Sequence, residues 1–361
     1  MDSLSERSSH PALSDFLTLT EFEPVARQTM SHAVYEYVAG GAGDEISLRA
    51  NQTAFDKIFL LPRVLRSVTP VNQNTTLFGA KLSAPVLLAP VAYQRMMHPD
   101  GELATVRGAG TMGAPVVVST NTTVPIEELA AAAESPLWFQ LYFQKDRAFT
   151  QELIQRLETA GCQALCVTVD TPVLGVRTRQ LRAHFSLPQE LKLPHSLEQR
   201  HRPRNTPDFG AYSNVTWPDI DWLRSITKMK LVLKGVLHPK DAEESLQHQV
   251  DGLIVSNHGA RNLDTIVPTI EALPGIADRV GGRVPILLDG GIRRGSDILK
   301  SLARGAAAVL IGRSYVYALS IGGSEGVAHC LRLLYAEFEH ALALVGAGSI
   351  AELDRAIEWR P

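Results

Sequence analysis

The 361-residue sequence predicts an α/β chain folded as one (β/α)8 TIM barrel, with an N-terminal helical segment and a long lid loop after the fourth strand. Two observations carry that expectation. Eight short apolar runs recur along the chain, and they are continuous rather than alternating, which marks strands buried on both faces of a helix-covered parallel sheet. Most are followed by a stretch of helical periodicity, and eight such units suit a closed barrel better than an open doubly wound sheet. With 45% hydrophobic and 20% charged residues, the chain can bury a large core.

Taken in order, residues 1–16 are Ser-rich and aperiodic and read as a flexible tail, leaving 17–361 as a single barrel domain. From Leu17 to Val38 apolar residues recur at helical spacing until Ala39-Gly40-Gly41-Ala42-Gly43 stops them. The eight strand runs fall at residues 85–89, 115–119, 138–142, 164–168, 231–234, 253–256, 286–289 and 308–311. Helices are expected over 127–134, 146–160, 239–248, 296–303 and 325–345. The connection between Thr168 and Leu231 is too long for a plain barrel loop, and its polar, proline-punctuated part at about 183–216 reads as a lid insertion. Gly108-Ala109-Gly110-Thr111-Met112-Gly113 matches the dinucleotide fingerprint, but it follows a helical stretch and precedes a strand, the reverse of what that site requires.

Charge and cysteine content exclude several function classes. A net charge of −3 does not suit a polycation that coats nucleic acid or an acidic membrane. Cys162, Cys166 and Cys330 form neither a disulfide framework nor zinc-type pairs, so they read as core thiols in a reducing compartment, and no metal is expected. No apolar run approaches the roughly 18 residues of a membrane span, and the N-terminus is polar where a signal peptide is hydrophobic. A cytoplasmic protein with neither nucleic-acid nor membrane partners is expected.

In a barrel of this kind, chemistry gathers at the C-terminal ends of the strands, and here those ends are polar: Ser119, Gln140, Tyr142, Thr168, Asp170, Lys234, Ser256, His258, Asp289 and Arg313. The segment Ser256-Asn257-His258-Gly259-Ala260-Arg261-Asn262-Leu263-Asp264 delivers a histidine, a base near neutral pH, and three residues on an arginine whose planar fork suits a carboxylate. Lys234 ends a strand and needs an anionic partner, a ligand or a protein carboxylate. Asp170 either orients His258 or caps the turn that follows it. Asp289-Gly290-Gly291-Ile292-Arg293-Arg294-Gly295 and Ile311-Gly312-Arg313 follow the last two strands, where glycines, helix starts and arginines together suit a phosphate.

On these segments the chain, from about Leu19 to about Leu353, resembles the FMN-dependent 2-hydroxy-acid oxidases, the group of glycolate oxidase, lactate oxidase, mandelate-type oxidases and the flavin domain of flavocytochrome b2. The resemblance implies FMN as cofactor, with His258 as catalytic base, Asp170 stabilising its imidazolium, Arg177 and Arg261 clamping the substrate carboxylate, and Tyr37 and Tyr142 bonding the substrate. It places Lys234 beside the N1/C2 edge of the flavin. Ala92, Ser119, Gln140, Thr168 and Ser256 become further cofactor contacts, Asp289 lies on the ribityl chain, and Gly291, Arg293, Gly312 and Arg313 surround the phosphate. The implied reaction oxidises an (S)-2-hydroxy acid to the 2-oxo acid and reduces O2 to hydrogen peroxide. A dehydrogenase or an internal monooxygenase would use the same residues, whereas a non-catalytic flavin carrier needs neither His258 nor Arg261. Members feeding a cytochrome or a membrane quinone carry extra segments for which this chain has no room. The family tends toward tetramers and octamers, so a homo-oligomer is expected.

Departures from the pattern bear on substrate choice. Glycolate oxidase carries tryptophan at the position of Asn121, and Val38 and Val91 also differ from that enzyme. A smaller Asn121 enlarges the pocket, which favours a lactate- or mandelate-like acid over glycolate. The stretch Pro90-Val91-Ala92-Tyr93 with His98-Pro99-Asp100-Gly101-Glu102 looks most like hydroxymandelate oxidase, and much of the rest looks equally like lactate oxidase.

Overall fold

Eight parallel strands close on themselves in the computed structural model, which describes residues 11–144, 146–196, 214–353 and 355–359. The strands are β1 (Val86–Leu88), β2 (Val116–Ser119), β3 (Leu137–Leu141), β4 (Ala164–Thr168), β5 (Lys230–Val236), β6 (Gly252–Val255), β7 (Ile286–Asp289) and β8 (Ala308–Ile311). Each pairs with its neighbour in chain order, and β8 returns to β1, so no edge is left open. All eight coincide with the apolar runs, because a strand covered on both faces is apolar along most of its length.

Within the cylinder, Leu87, Val117, Trp138, Cys166, Val232, Ile254, Leu287 and Leu310 pack together. A β-hairpin of residues 75–77 and 80–82 contributes Leu77 and Leu82 to the same cluster, and its Phe78 lies 5.4 Å from Trp138. Since a strand side chain recurs on one face every second residue, the inward set climbs from Val117 to Ser119, Trp138 to Gln140, Cys166 to Thr168, Val232 to Lys234, Ile254 to Ser256 and Leu287 to Asp289. The interior is therefore apolar low down and polar at its C-terminal mouth.

The helices are α1 (Phe22–Thr29), α2 (His32–Ala39), α3 (Ile46–Asp56), α4 (Glu102–Thr111), α5 (Ile126–Ala132), α6 (Arg147–Thr159), α7 (Thr178–Arg182), α8 (Trp217–Ile226), α9 (Pro239–Ser245), α10 (Thr269–Val280), α11 (Gly295–Ala303) and α12 (Arg313–Leu344), the last broken by a kink at non-helical Gly322 and Gly323. The periodic stretch 17–38 is not one helix: α1 ends at extended Met30, and Ser31 starts α2 by accepting the Val34 N–H on its hydroxyl. Leu13–Asp15 form a 3-10 turn, and Phe16 is buried and stacked 4.5 Å from Phe22. The long connection after β4 is partly helical, holding α7 at its start and α8 at its end. Of the lid stretch, 197–213 lies outside the described residues. The Gly108–Gly113 motif spans the end of α4 and the turn before β2, where Gly108 lets α4 press on the backbone of Ser324 in α12. Among the described residues, no helix is long and apolar enough to cross a membrane.

Candidate active site

The polar ends of the strands bond to one another in two groups around the barrel mouth. Ser119 Oγ donates to Gln140 Oε1 at 3.1 Å, and Gln140 Nε2 donates to Thr168 Oγ1 at 2.9 Å. Across the mouth, Lys234 Nζ lies 2.8 Å from Asp289 Oδ2 and donates to Ser256 Oγ at 2.9 Å. Lys234 is buried, and the neighbouring Asp289 and Asp170 carboxylates overcome the burial cost and raise its pKa. Above these groups opens a cavity of about 580 Å³.

His258 stands on its wall in a left-handed backbone conformation, with φ +59°, and Ala260 shares it at +60°. A side chain in that region costs of order 1 kcal/mol, so the surroundings must impose it. They do so through the Ala260 N–H, which donates to Asn257 O, and the Ala42 N–H, which donates to Ala260 O. Asn257 and Asn51 of α3 exchange amide hydrogen bonds at 2.8 and 2.9 Å. The result aims the imidazole: Nδ1 faces Asp170 Oδ1 at 2.9 Å, and Nε2 faces the Tyr142 hydroxyl at 3.3 Å. Burial lowers the His258 pKa, Asp170 opposes that shift, and the imidazole stays a neutral base below the pH where a free histidine would protonate.

Three arginines surround the same space. Arg261 NH1 donates to the carbonyls of Tyr37 and Gly40 at 2.8 and 2.7 Å, and Arg313 donates to those of Val38, Gly259 and Gly40. Arg177 Nε donates to Arg261 O at 3.1 Å. Carbonyls, not carboxylates, hold these guanidiniums in place. Burial and mutual repulsion push the Arg261 pKa down, so the cluster is a desolvated positive charge suited to an anion. Tyr37, at the end of α2, lies under Arg261 and stacks on Phe185 with centroids 4.3 Å apart.

Residues 26–360 match the family model described as FMN-dependent dehydrogenase. The chain belongs to the FMN-dependent dehydrogenase family. It is 44% identical over 353 residues to a 2-hydroxyacid oxidase of Dictyostelium discoideum, covering 96% of this chain and 91% of that one. It is 42% identical to an L-lactate oxidase of a Nostoc species, covering 95% and 98%. The solved structure of mandelate oxidase with (S)-4-hydroxymandelic acid matches with a TM-score of 0.90 at 38% identity, covering 94% of this chain and 98% of that one.

The residues present fit FMN, the cofactor of this family. Asp289 Oδ1 is buried without a hydrogen-bond partner, an acceptor suited to a ribityl hydroxyl. Gly312 borders the cavity, and a Cβ there would meet nothing closer than Ala89 at 3.8 Å, so the bare backbone leaves room for a phosphate. Arg293 and Arg313 line that end of the cavity. Gly291 adopts φ +91°, and a Cβ on it would overlap Asn51 O, so only glycine permits α3 to approach this turn.

Of the site residues expected from the sequence, Tyr37, Ala92, Ser119, Asn121, Gln140, Tyr142, Thr168, Arg177, Lys234, His258, Arg261, Asp289, Gly291, Arg293, Gly312 and Arg313 line this one cavity. Asp170 and Ser256 do not. Asp170 lies behind His258, and Ser256 lies beneath the mouth, where its Oγ accepts from Lys234 and from the His258 N–H. Ser256 therefore touches the groups that hold the site. Sequence reasoning missed Leu48, Asn51 and Gln52 of α3, together with Tyr93, Phe185 and Leu187. Asn51 has no local signal, since its partner Asn257 lies 206 residues away. Among the described residues, no cluster of metal-ligating side chains occurs.

Proposed function

We propose that this FMN-dependent enzyme oxidises an (S)-2-hydroxy acid of lactate or mandelate type to the 2-oxo acid, with His258 as base. One observation carries the reading: a half-buried imidazole, backed by a carboxylate, faces the same cavity as arginines that, among the described residues, bond carbonyls and no carboxylate. Arg261 and Arg177 bind the substrate carboxylate, and Tyr37 and Tyr142 bond its oxygens. His258 Nε2 takes a proton from the substrate, and Asp170 stabilises the imidazolium that forms. FMN, held by Lys234, Asp289, Arg293 and Arg313, would supply the two-electron acceptor, with O2 as the final oxidant and hydrogen peroxide as the second product. Asn121 and Val91 leave space for a substrate side chain larger than that of glycolate.

The same reading makes the enzyme a cytoplasmic homotetramer or octamer. The buried, unpaired thiols of Cys162, Cys166 and Cys330 suit a reducing compartment. Light scattering of the purified protein tests the assembly. The deciding experiment is anaerobic titration with glycolate, L-lactate and both mandelate enantiomers, followed by oxygen mixing. Bleaching of the flavin by the (S)-acids, with 2-oxo acid and peroxide as products, is the expected outcome. A flavin that no 2-hydroxy acid bleaches would refute the proposal, and a decarboxylated product in place of peroxide would make the enzyme a monooxygenase.

A further inference from the structure

We infer that Arg179, which lies outside the cavity, is a positioning residue that fixes the spacing between Tyr37 and Arg177 and cancels two acids behind the substrate carboxylate. The inference rests on the hydroxy-acid reading above. Tyr37 lies in the last turn of α2 and Arg177 immediately precedes α7, two segments well separated in sequence that the proposed reading brings to one substrate. Arg179 on α7 bridges them. Its Nε donates to Glu36 Oε2 at 2.5 Å, and its NH1 reaches both Glu45 oxygens at 3.4 Å. The Gly43 N–H donates to Val176 O at 2.9 Å, and Glu45 Oε1 accepts the Gly41 N–H at 2.8 Å, so the α2–α3 turn and the base of the lid are bonded on both sides of this bridge. The guanidinium also lies 5.9 Å from the Tyr35 ring centre.

The arginines around the site thus fall into two sets. Arg177, Arg261 and Arg313 bond carbonyls and face the cavity, whereas Arg179 takes two carboxylates and faces away from it. Glu36 adjoins Tyr37 in the chain, and its side chain is only 10% exposed. Left uncompensated, Glu36 and Glu45 would oppose an anionic substrate in a poorly screened setting. Arg179 is therefore expected to act on affinity for the anion and leave the chemical step largely alone.

The test uses the FMN-loaded protein and the variants Arg179→Met, Arg179→Lys and Arg179→Gln. Pyruvate and benzoylformate affinities are read from the flavin absorbance change, the limiting rate of flavin reduction is measured anaerobically, and melting temperatures report folding. Arg179→Met should weaken 2-oxo-acid binding about 10-fold and leave the limiting reduction rate within about 2-fold, whereas Arg179→Lys should recover most of the affinity. Should Arg179→Met not fold, Arg179→Gln, which keeps a hydrogen-bond donor toward Glu36 and loses the charge, should weaken binding several-fold by itself. Unchanged 2-oxo-acid affinity in a folded Arg179→Met or Arg179→Gln would overturn the inference, as would a loss confined to the reduction rate. Because affinity is read without turnover, a wild-type flavin that binds 2-oxo acids but is never reduced would refute only the hydroxy-acid reading. Failure to bind either 2-oxo acid would overturn both.

Discussion

Asp170 Oδ1 stands 2.9 Å from Nδ1 of His258, which leaves Nε2 to face Tyr142 and the cavity. The carboxylate fixes which nitrogen carries the proton and steadies the charge that arises when the base takes a second one. Asp170→Asn keeps an acceptor for Nδ1 and removes that charge. The reduction rate should fall about 10²–10⁴-fold.

The pH dependence follows from the same pair. The base must be neutral, so activity is lost as pH falls through the His258 pKa, which burial holds below its ordinary value while Asp170 pulls it partly back. The acid limb of kcat/KM should lie below about pH 6.5 and move lower still in Asp170→Asn. A limb that stayed in place in the variant would separate Asp170 from the titration.

Lys234 and Asp289 form a buried pair at 2.8 Å. Removing only the ammonium strands the carboxylate, so Lys234→Met should cost about 3–5 kcal/mol of stability. Adding Asp289→Asn should restore part of that loss. Urea unfolding of both variants checks this, and a double variant no more stable than the single would refute it.

His195, in the long connection after β4, is fully buried and accepts the Ile126 N–H on Nε2 at 2.9 Å. Burial, with Arg156 adding to it, pulls its pKa down to about 4. As pH falls below the ordinary histidine value, the unfolded chain takes up a proton that folded His195 refuses, so stability drops by about 3 kcal/mol before the folded pKa is reached. His195→Gln keeps an acceptor that does not titrate, and its unfolding free energy should lose correspondingly less between pH 7 and about pH 4. Parallel pH profiles for the two proteins would rule this out.

Asn121 lines the cavity, and its carbonyl accepts the Tyr93 N–H at 3.1 Å, an arrangement that keeps its backbone fixed when the side chain is changed. Asn121→Trp should therefore fill space without moving the wall, lowering kcat/KM for mandelate relative to glycolate by about 10-fold or more. An unchanged ratio would show that the substrate side chain points elsewhere.

Barrel strands were legible because burial on both faces leaves an unbroken apolar signature, and the site followed because the inward parity turns polar at Ser119, Gln140, Thr168, Lys234, Ser256 and Asp289. What stayed hidden depends on distant partners or on weak local signals. Helix α10 carries Pro274 in its interior, which argues against a helix on local grounds. The hairpin at 75–82 is too short to show a period. Phe185 reads as one aromatic in a polar stretch until Tyr37 is found against its face.

One carbonyl, that of Gly40, receives both Arg261 at 2.7 Å and Arg313 at 3.1 Å. The guanidinium proposed to meet the substrate and the one proposed to meet the phosphate thus share a single oxygen at the end of α2. Whatever occupies either end must tighten that helix, and whatever frays the helix must loosen both, by the reciprocity of linked equilibria. Amide hydrogen exchange along α2 then becomes a gauge of occupancy: slowest with cofactor and 2-oxo acid both bound, and fastest in the stripped protein.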